Sequence, residues 1–276
     1  MQEIASNKYS VLMAVYKSEN AANFETAIKS MLNQTIAPSD FVIVCDGSLN
    51  DELDEVINRY EKAEHSIFNI VRLPNNEGLG NALSIGLNLC KFNYVLRMDS
   101  DDIAIHNRAE TELKALEEGY DIVGGYVAEF EDGNEDKIIG VRKVPLEQKE
   151  IYEFVKKRTP FNHPSVAYNK EFVLSSGNYS KLRKSQDWEL WVRCICNKAK
   201  VKNFDQVFVK MRSGKQLRRR RGGKLYMQCQ TYILKEMRDL NMISGSAYRR
   251  LKFSYKCYSI MPMWLKTIFT KLFLRH

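Results

Sequence analysis

The chain has 276 residues, 44% of them hydrophobic and 28% charged, with 14 Gly and 6 Pro; that supplies a sizeable core and excludes a disordered or low-complexity chain. Net charge is +8, yet from Arg212 onward 16 basic residues face only Glu236 and Asp239, so that stretch carries +14 and the first 211 residues −6. Such a split points to a polyanionic partner for the C-terminal quarter (a nucleic acid, an anionic lipid surface or a diphosphate) or to a solvated basic face.

In chain order, Tyr9 to Val15 reads as a buried strand and Phe24 to Leu32 as a helix with apolar spacing. A second apolar strand, Phe41 to Val44, ends abruptly in Cys45-Asp46-Gly47-Ser48. A helix follows from about Asp51 to Ala63, with acids in its first turn where the helix dipole favours them. Then come a strand at Ile67 to Leu73, the loop Pro74 to Gly78, a helix from about Gly80 to Cys90, and a strand from Tyr94 to Met98 that runs into Asp99-Ser100-Asp101-Asp102. Strands alternating with helices mean βαβ units and a mostly parallel central sheet flanked by helices. Past Arg108 a helix reaches Glu118, Tyr120 to Phe130 reads as a further strand or pair, and 137 to 175 is mixed, with a short strand at Val166 to Tyr168. A helix from Gln186 to Asn197 and a strand from Phe204 to Met211 close this part. Beyond it the chain reads helical over 224–241, 245–258 and 263–275, so we divide it into an α/β unit, 1–211, and a basic helical region, 212–276.

No apolar run reaches the roughly 18 residues needed to cross a bilayer. The start MQEIASNKYS has no basic-then-apolar signal pattern, so a cytoplasmic chain is expected. The six cysteines form no CxxC pair and are expected to be reduced core residues.

In α/β sheets ligands bind beyond the carboxyl ends of the strands. There this chain places Tyr16 to Glu19, Asp46-Gly47-Ser48, and Asp99-Ser100-Asp101-Asp102. Two carboxylates two residues apart at a strand end suit a hard divalent cation that in turn bridges the oxygens of a diphosphate. Asp46 can accept hydrogen bonds from a base or ribose, or cap the next helix. Asp187 opens a helix beside Trp188 and is either that helix's cap or a general base whose pKa the tryptophans lift. The run Arg218 to Lys224 holds five cations in seven residues and fits a loop over phosphates, or a solvated charge run. It lacks the interleaved aromatics of a nucleic-acid module, so no nucleic acid is expected as partner. Gly78-Leu79-Gly80 is followed by Leu83 where a dinucleotide fingerprint needs a small residue, which argues against a Rossmann dehydrogenase. Leu265, Ile268, Phe269, Leu272 and Phe273 share one stripe with basic residues off it, as in a helix lying on an anionic membrane or in an ordinary packed helix.

The ordered set Tyr9 to Tyr16, Cys45-Asp46-Gly47-Ser48, Asn76 to Ala82, Arg97 to Asp102 and Gln186 to Trp191 resembles the family-2 glycosyltransferases of the GT-A fold, over roughly 9–224. It is most similar to bacterial enzymes that build capsule, exopolysaccharide or O-antigen repeat units; Arg142 to Pro145, Asn162 to Ser165 and Arg221 to Gly223 support that narrower likeness. The resemblance implies an inverting transfer of a hexose from a UDP-sugar to an acceptor hydroxyl. Asp46 would bind the uracil, and Asp99 and Asp101 would form the DXD metal motif for Mn²⁺ or Mg²⁺. Asp187 would be the base, and Arg219 and Arg221 would hold the diphosphate. Tyr16, Glu19, Asn76, Gly80, Asn81 and Ser100 would complete the donor site, with His163 and Trp188 on the acceptor side. Cys45 stands where many members carry an Asp, and Gln186 replaces the Glu that often precedes the base. Together with the charge split, this leads us to expect a polyprenyl-diphosphate-linked sugar as acceptor and attachment to the inner face of the cytoplasmic membrane through residues 260–276. Two readings from other classes stay open at this point: a metal-dependent nucleotidyltransferase and a non-enzymatic nucleic-acid-binding protein.

Overall fold

The first strands are continuous apolar runs because helices cover both of their faces. A computed structural model describes residues 8–62, 67–213 and 223–260. Strands β1 (Ser10–Val15), β2 (Asp40–Cys45), β3 (Phe68–Arg72) and β4 (Tyr94–Asp99) pair in parallel in the order β3-β2-β1-β4. The connecting helices are α1 (Ala21–Leu32), α2 (Asp51–Glu61) and α3 (Leu79–Leu89). Alternate residues of β1 serve two cores. Val11, Met13 and Val15 pack with Phe24 and Ile28 of α1 and with Leu53 and Ile57 of α2, whereas Leu12 faces Ala82, Leu83 and Leu87 of α3.

Beyond β4 the sheet becomes mixed. β5 (Ile103–Ala104), α4 (Arg108–Glu117), β6 (Ile122–Glu131), β7 (Asn134–Arg142), α5 (Gln148–Phe154), β8 (Ala167–Asn169), α6 (Lys170–Ser175), α7 (Gln186–Cys196) and β9 (Val201–Ser213) follow in turn. The order continues β4-β8-β6-β9-β5, with β7 pairing β6 outside this path. The pairs β4–β8, β6–β8, β6–β7 and β5–β9 are antiparallel, while β6–β9 is parallel. The parallel part thus matches the expectation; of the antiparallel additions β8 and most of β7 fall in the stretch that read as mixed, while β5 follows the acidic turn and pairs with β9.

Two C-terminal helices are described, α8 (Gly223–Asp239) and α9 (Gly245–Ile260). Ile233, Leu234 and Met237 of α8 are buried in the same core as Trp191 and Leu190 of α7. The first C-terminal helix therefore shares the hydrophobic core of the α/β unit. No helix among the described residues is long and apolar enough to cross a membrane.

Candidate active site

The parallel register sets Ala14 beside Asp99 and Val15 beside Cys45, so Tyr16, Ser100 and Asp46 emerge together at one edge of the sheet. Ser100 Oγ donates to Glu19 Oε2 at 3.3 Å, tying the loop after β1 to the acidic turn after β4. Asp46 is buried, and its carboxylate accepts the backbone amides of Glu77 (2.7 Å) and Gly78 (3.0 and 3.2 Å). The helix after it, α2, is capped instead by Asn50, whose side chain accepts from Leu53 N at 2.9 Å. Gly78 gives α3 no side-chain cap, and Asp46 supplies negative charge at that positive helix end from 32 residues away. The turn needs Gly47: its φ is +88°, and a Cβ there would lie 2.8 Å from Asn76 N. Asn76 Nδ2 donates to the Asp46 carbonyl at 3.2 Å, and Asn81 Nδ2 to Glu77 Oε2 at 2.6 Å. Arg183 reaches over this loop to Asn76, 3.3 Å to its Oδ1.

Asp99, Asp101 and Asp102 offer carboxylate oxygens within 4.8 Å of one another. Burial first, then the charges of Asp101 and Asp99, push the carboxyl of Asp102 well above the usual carboxylate range. Its Oδ1 accepts from Arg212 N at 3.0 Å, while its buried Oδ2 has no partner among the described residues. Three hard oxygen donors with an unspent buried acceptor fit a divalent cation of the Mn²⁺ or Mg²⁺ kind. The guanidinium of Arg212 points back to the Asp101 carbonyl at 3.3 Å. Arg97, fully buried on β4, donates to Asp99 Oδ1, and its Nε and Nη1 meet no hydrogen-bond partner among the described residues.

The same interior holds His163, whose Nε2 lies 3.0 Å from the Tyr179 hydroxyl. Burial, followed by the charge of Arg97, holds the His163 imidazole well below its usual pKa, so it is neutral. Burial pushes the Tyr179 hydroxyl well above its usual pKa, with the charge of Arg97 pulling it down and that of Asp187 raising it.

Asp187 is half-buried in the first turn of α7, and the cap position belongs to Ser185, in the left-handed conformation at φ 57°. Gly80 lets α3 come close: a Cβ there would sit 2.2 Å from Ser180 O and 3.2 Å from Gln186 Cβ. The Asp46 loop and the start of α7 therefore meet at the N-terminal end of α3. Trp188, expected on the acceptor side, turns into the core, where its Nε1 donates to Val155 O at 2.7 Å. His163 also lies beneath the surface, edge-on to Trp191 at 6.2 Å between ring centroids. Arg219, Arg221 and the stripe at 263–275 lie outside the described residues.

Sequence reasoning passed over Tyr179 and Arg212, and it gave no role to Arg97 and Asp102 within the motif that holds them. Arg97 had a signal: a cation inside an apolar strand, two residues before Asp99 and so on the same face.

The model of the glycosyl transferase family 2 matches residues 10–183. The chain belongs to glycosyl transferase family 2. The UDP-Gal:alpha-D-GlcNAc-diphosphoundecaprenol beta-1,3-galactosyltransferase of Escherichia coli is 38% identical to this glycosyltransferase over 223 residues, 79% of each chain. The amylovoran biosynthesis glycosyltransferase AmsE of Erwinia amylovora is 32% identical over 245 residues, 87% of this chain and 90% of that one. In fold, the enzyme is similar to GalNAc-T7, whose crystal structure holds UDP, GalNAc and Mn²⁺. The TM-score is 0.71 at 16% identity, covering 96% of this chain and 54% of that one. The fold is that of the GT-A glycosyltransferases.

Proposed function

We propose that this glycosyltransferase moves a hexose from a UDP-sugar to a hydroxyl of a polyprenyl-diphosphate-linked sugar, with inversion, in the assembly of a surface polysaccharide. The reading is supported by the Asp46 loop and the Asp99–Asp101–Asp102 cluster at the ends of neighbouring parallel strands, with the start of α7, next to Asp187, packed on Gly80 of α3. The donor and acceptor classes follow the activity for which the Escherichia coli relative is named. In this reading Asp187 accepts the proton of the acceptor hydroxyl as that oxygen attacks the anomeric carbon and the bond to UDP breaks from the opposite side. Asp46 orders the loop at 76–78 against the base, with Tyr16, Glu19, Asn76, Gly80, Asn81 and Ser100 around the donor. Asp99 and Asp101 would hold Mn²⁺ or Mg²⁺, which when bound supplies charge neutralisation for the departing diphosphate. Arg219 and Arg221 are the cations we assign to the same diphosphate. His163 and Trp188 support the acceptor side from below, as packing beneath the surface.

Asp101→Ala is expected to abolish the strengthening of UDP binding by Mn²⁺. Calorimetry with UDP, with and without Mn²⁺, checks this, and an unchanged Mn²⁺-dependent affinity would overturn the assignment. A panel of UDP-sugars with lipid-diphosphate sugars as acceptors tests the reaction itself.

We assign the basic region 212–276 to the acceptor and the inner face of the cytoplasmic membrane. α9 exposes Arg249, Arg250, Lys252 and Lys256, carries no acid, and leaves Phe253 68% exposed. Basic residues around an exposed aromatic suit an anionic lipid surface. Removing residues 260–276 is expected to shift the protein from the membrane to the soluble fraction; unchanged partitioning would refute a role for that segment.

A further inference from the structure

Ser185 stands immediately before Gln186 and Asp187 in a backbone conformation that L-residues other than Gly, Asn and Asp rarely adopt. A serine at this point of a helix normally turns its hydroxyl onto the first amides, yet Ser185 makes no such bond. Its carbonyl starts the helix, accepting Glu189 N at 3.1 Å. Its Oγ instead accepts a 2.7 Å hydrogen bond from Nε2 of Gln230, a fully buried residue of α8. The two residues are 45 apart in sequence. The first turn of α7 also rests against α3, where a Cβ on Gly80 would collide with Ser180 O and crowd the Gln186 side chain. The first turn of α7 thus meets both α3 and α8, and Gln230 of α8 reaches it through the Ser185 hydroxyl.

We infer that Gln230 is a positioning residue for Asp187. By holding the Ser185 hydroxyl it keeps the left-handed turn that sets the first residues of α7 against the start of α3. The inference rests on the reading of Asp187 as the base. A strained turn persists only where its surroundings over-determine it, and a buried amide paired to one hydroxyl is such a determinant because breaking the pair leaves both groups unsatisfied. α8 thereby acts on the chemistry without touching substrate.

The test is steady-state kinetics of the full chain with UDP-sugar and a lipid-diphosphate sugar. Gln230→Leu keeps the volume and removes the donor. It is expected to lower kcat about tenfold, the rate equivalent of one neutral hydrogen bond, with donor KM changed less than about twofold. Ser185→Gly adopts the left-handed turn without help, so Gln230→Leu made in that background is expected to cost no further kcat. A buried amide that only stabilises the fold would lower the melting temperature and leave kcat alone, or would act equally in both backgrounds; either result overturns the inference. Asp187→Asn is run alongside. If it keeps its rate, the reading of the base has failed; if it loses rate and Gln230→Leu does not, only the positioning role has.

Discussion

Asp187→Asn is expected to lower kcat by about 10²–10⁴-fold, the range that a positioned general base contributes, with donor KM and melting temperature nearly unchanged. Asparagine keeps the shape and the hydrogen-bonding reach of the side chain but has no basic oxygen to take the acceptor proton. The helix start does not rest on the carboxylate alone, because the Ser185 carbonyl accepts Glu189 N at 3.1 Å. Deeper in that helix, Glu189 and Arg193 pair through two bonds of 2.5 and 2.8 Å, and Arg193 also holds Asn178 O. The measurement is kcat at saturating donor and acceptor, with a thermal melt on the same preparation. A melting temperature several degrees lower, with kcat reduced only severalfold, would return Asp187 to the part of a helix-end charge.

The framework of this site was legible where physics is local. β1, β2 and β4 announce themselves because strands buried on both faces read as apolar runs, with Arg97 the charged exception inside β4, so Asp46 and Asp99 mark the strand ends by their polarity. The hairpin partner β7 was missed because Asn134 to Ile139 are exposed and largely charged, with no apolar alternation to read. β5 has two residues and no periodicity at all. Long-range pairings were equally invisible: the amides that Asp46 accepts come from 31 and 32 residues away, and no spacing rule encodes a match between a carboxylate and a distant loop. Trp188 was misplaced for a different reason. Consecutive helical residues point about 100° apart, so a side chain next to Asp187 in sequence faces the core when Asp187 faces the site.

Arg108→Ala is expected to destabilise the protein by about 3–5 kcal/mol, the range for breaking a buried ion pair by removing one partner. Arg108 and Glu112 are both wholly buried one turn apart on α4, joined at 2.8 Å. The same guanidinium donates to the carbonyls of Arg97 (2.9 Å), Pro164 (2.8 Å) and Val166 (3.1 Å). It therefore fastens the strand that carries Asp99 to the turn that carries His163, directly under the acidic cluster. The loss should depend on pH. Burial pushes the Glu112 carboxyl up from 4.5 to about 7, outweighing the opposite pull of Arg108. A folded-state pKa above the unfolded one means that folding favours the protonated form. The stability this gives is present below pH 4.5 and is lost as pH rises toward 7. Without Arg108 the folded-state pKa climbs further, so urea melts should show a larger deficit for Arg108→Ala at pH 8 than at pH 5. Adding Glu112→Gln, which cannot ionise, should recover part of the deficit at pH 8 and little at pH 5. Equal deficits at both pH values would mean that Arg108 contributes through the three carbonyls alone, and that Glu112 never carries its charge in the folded core.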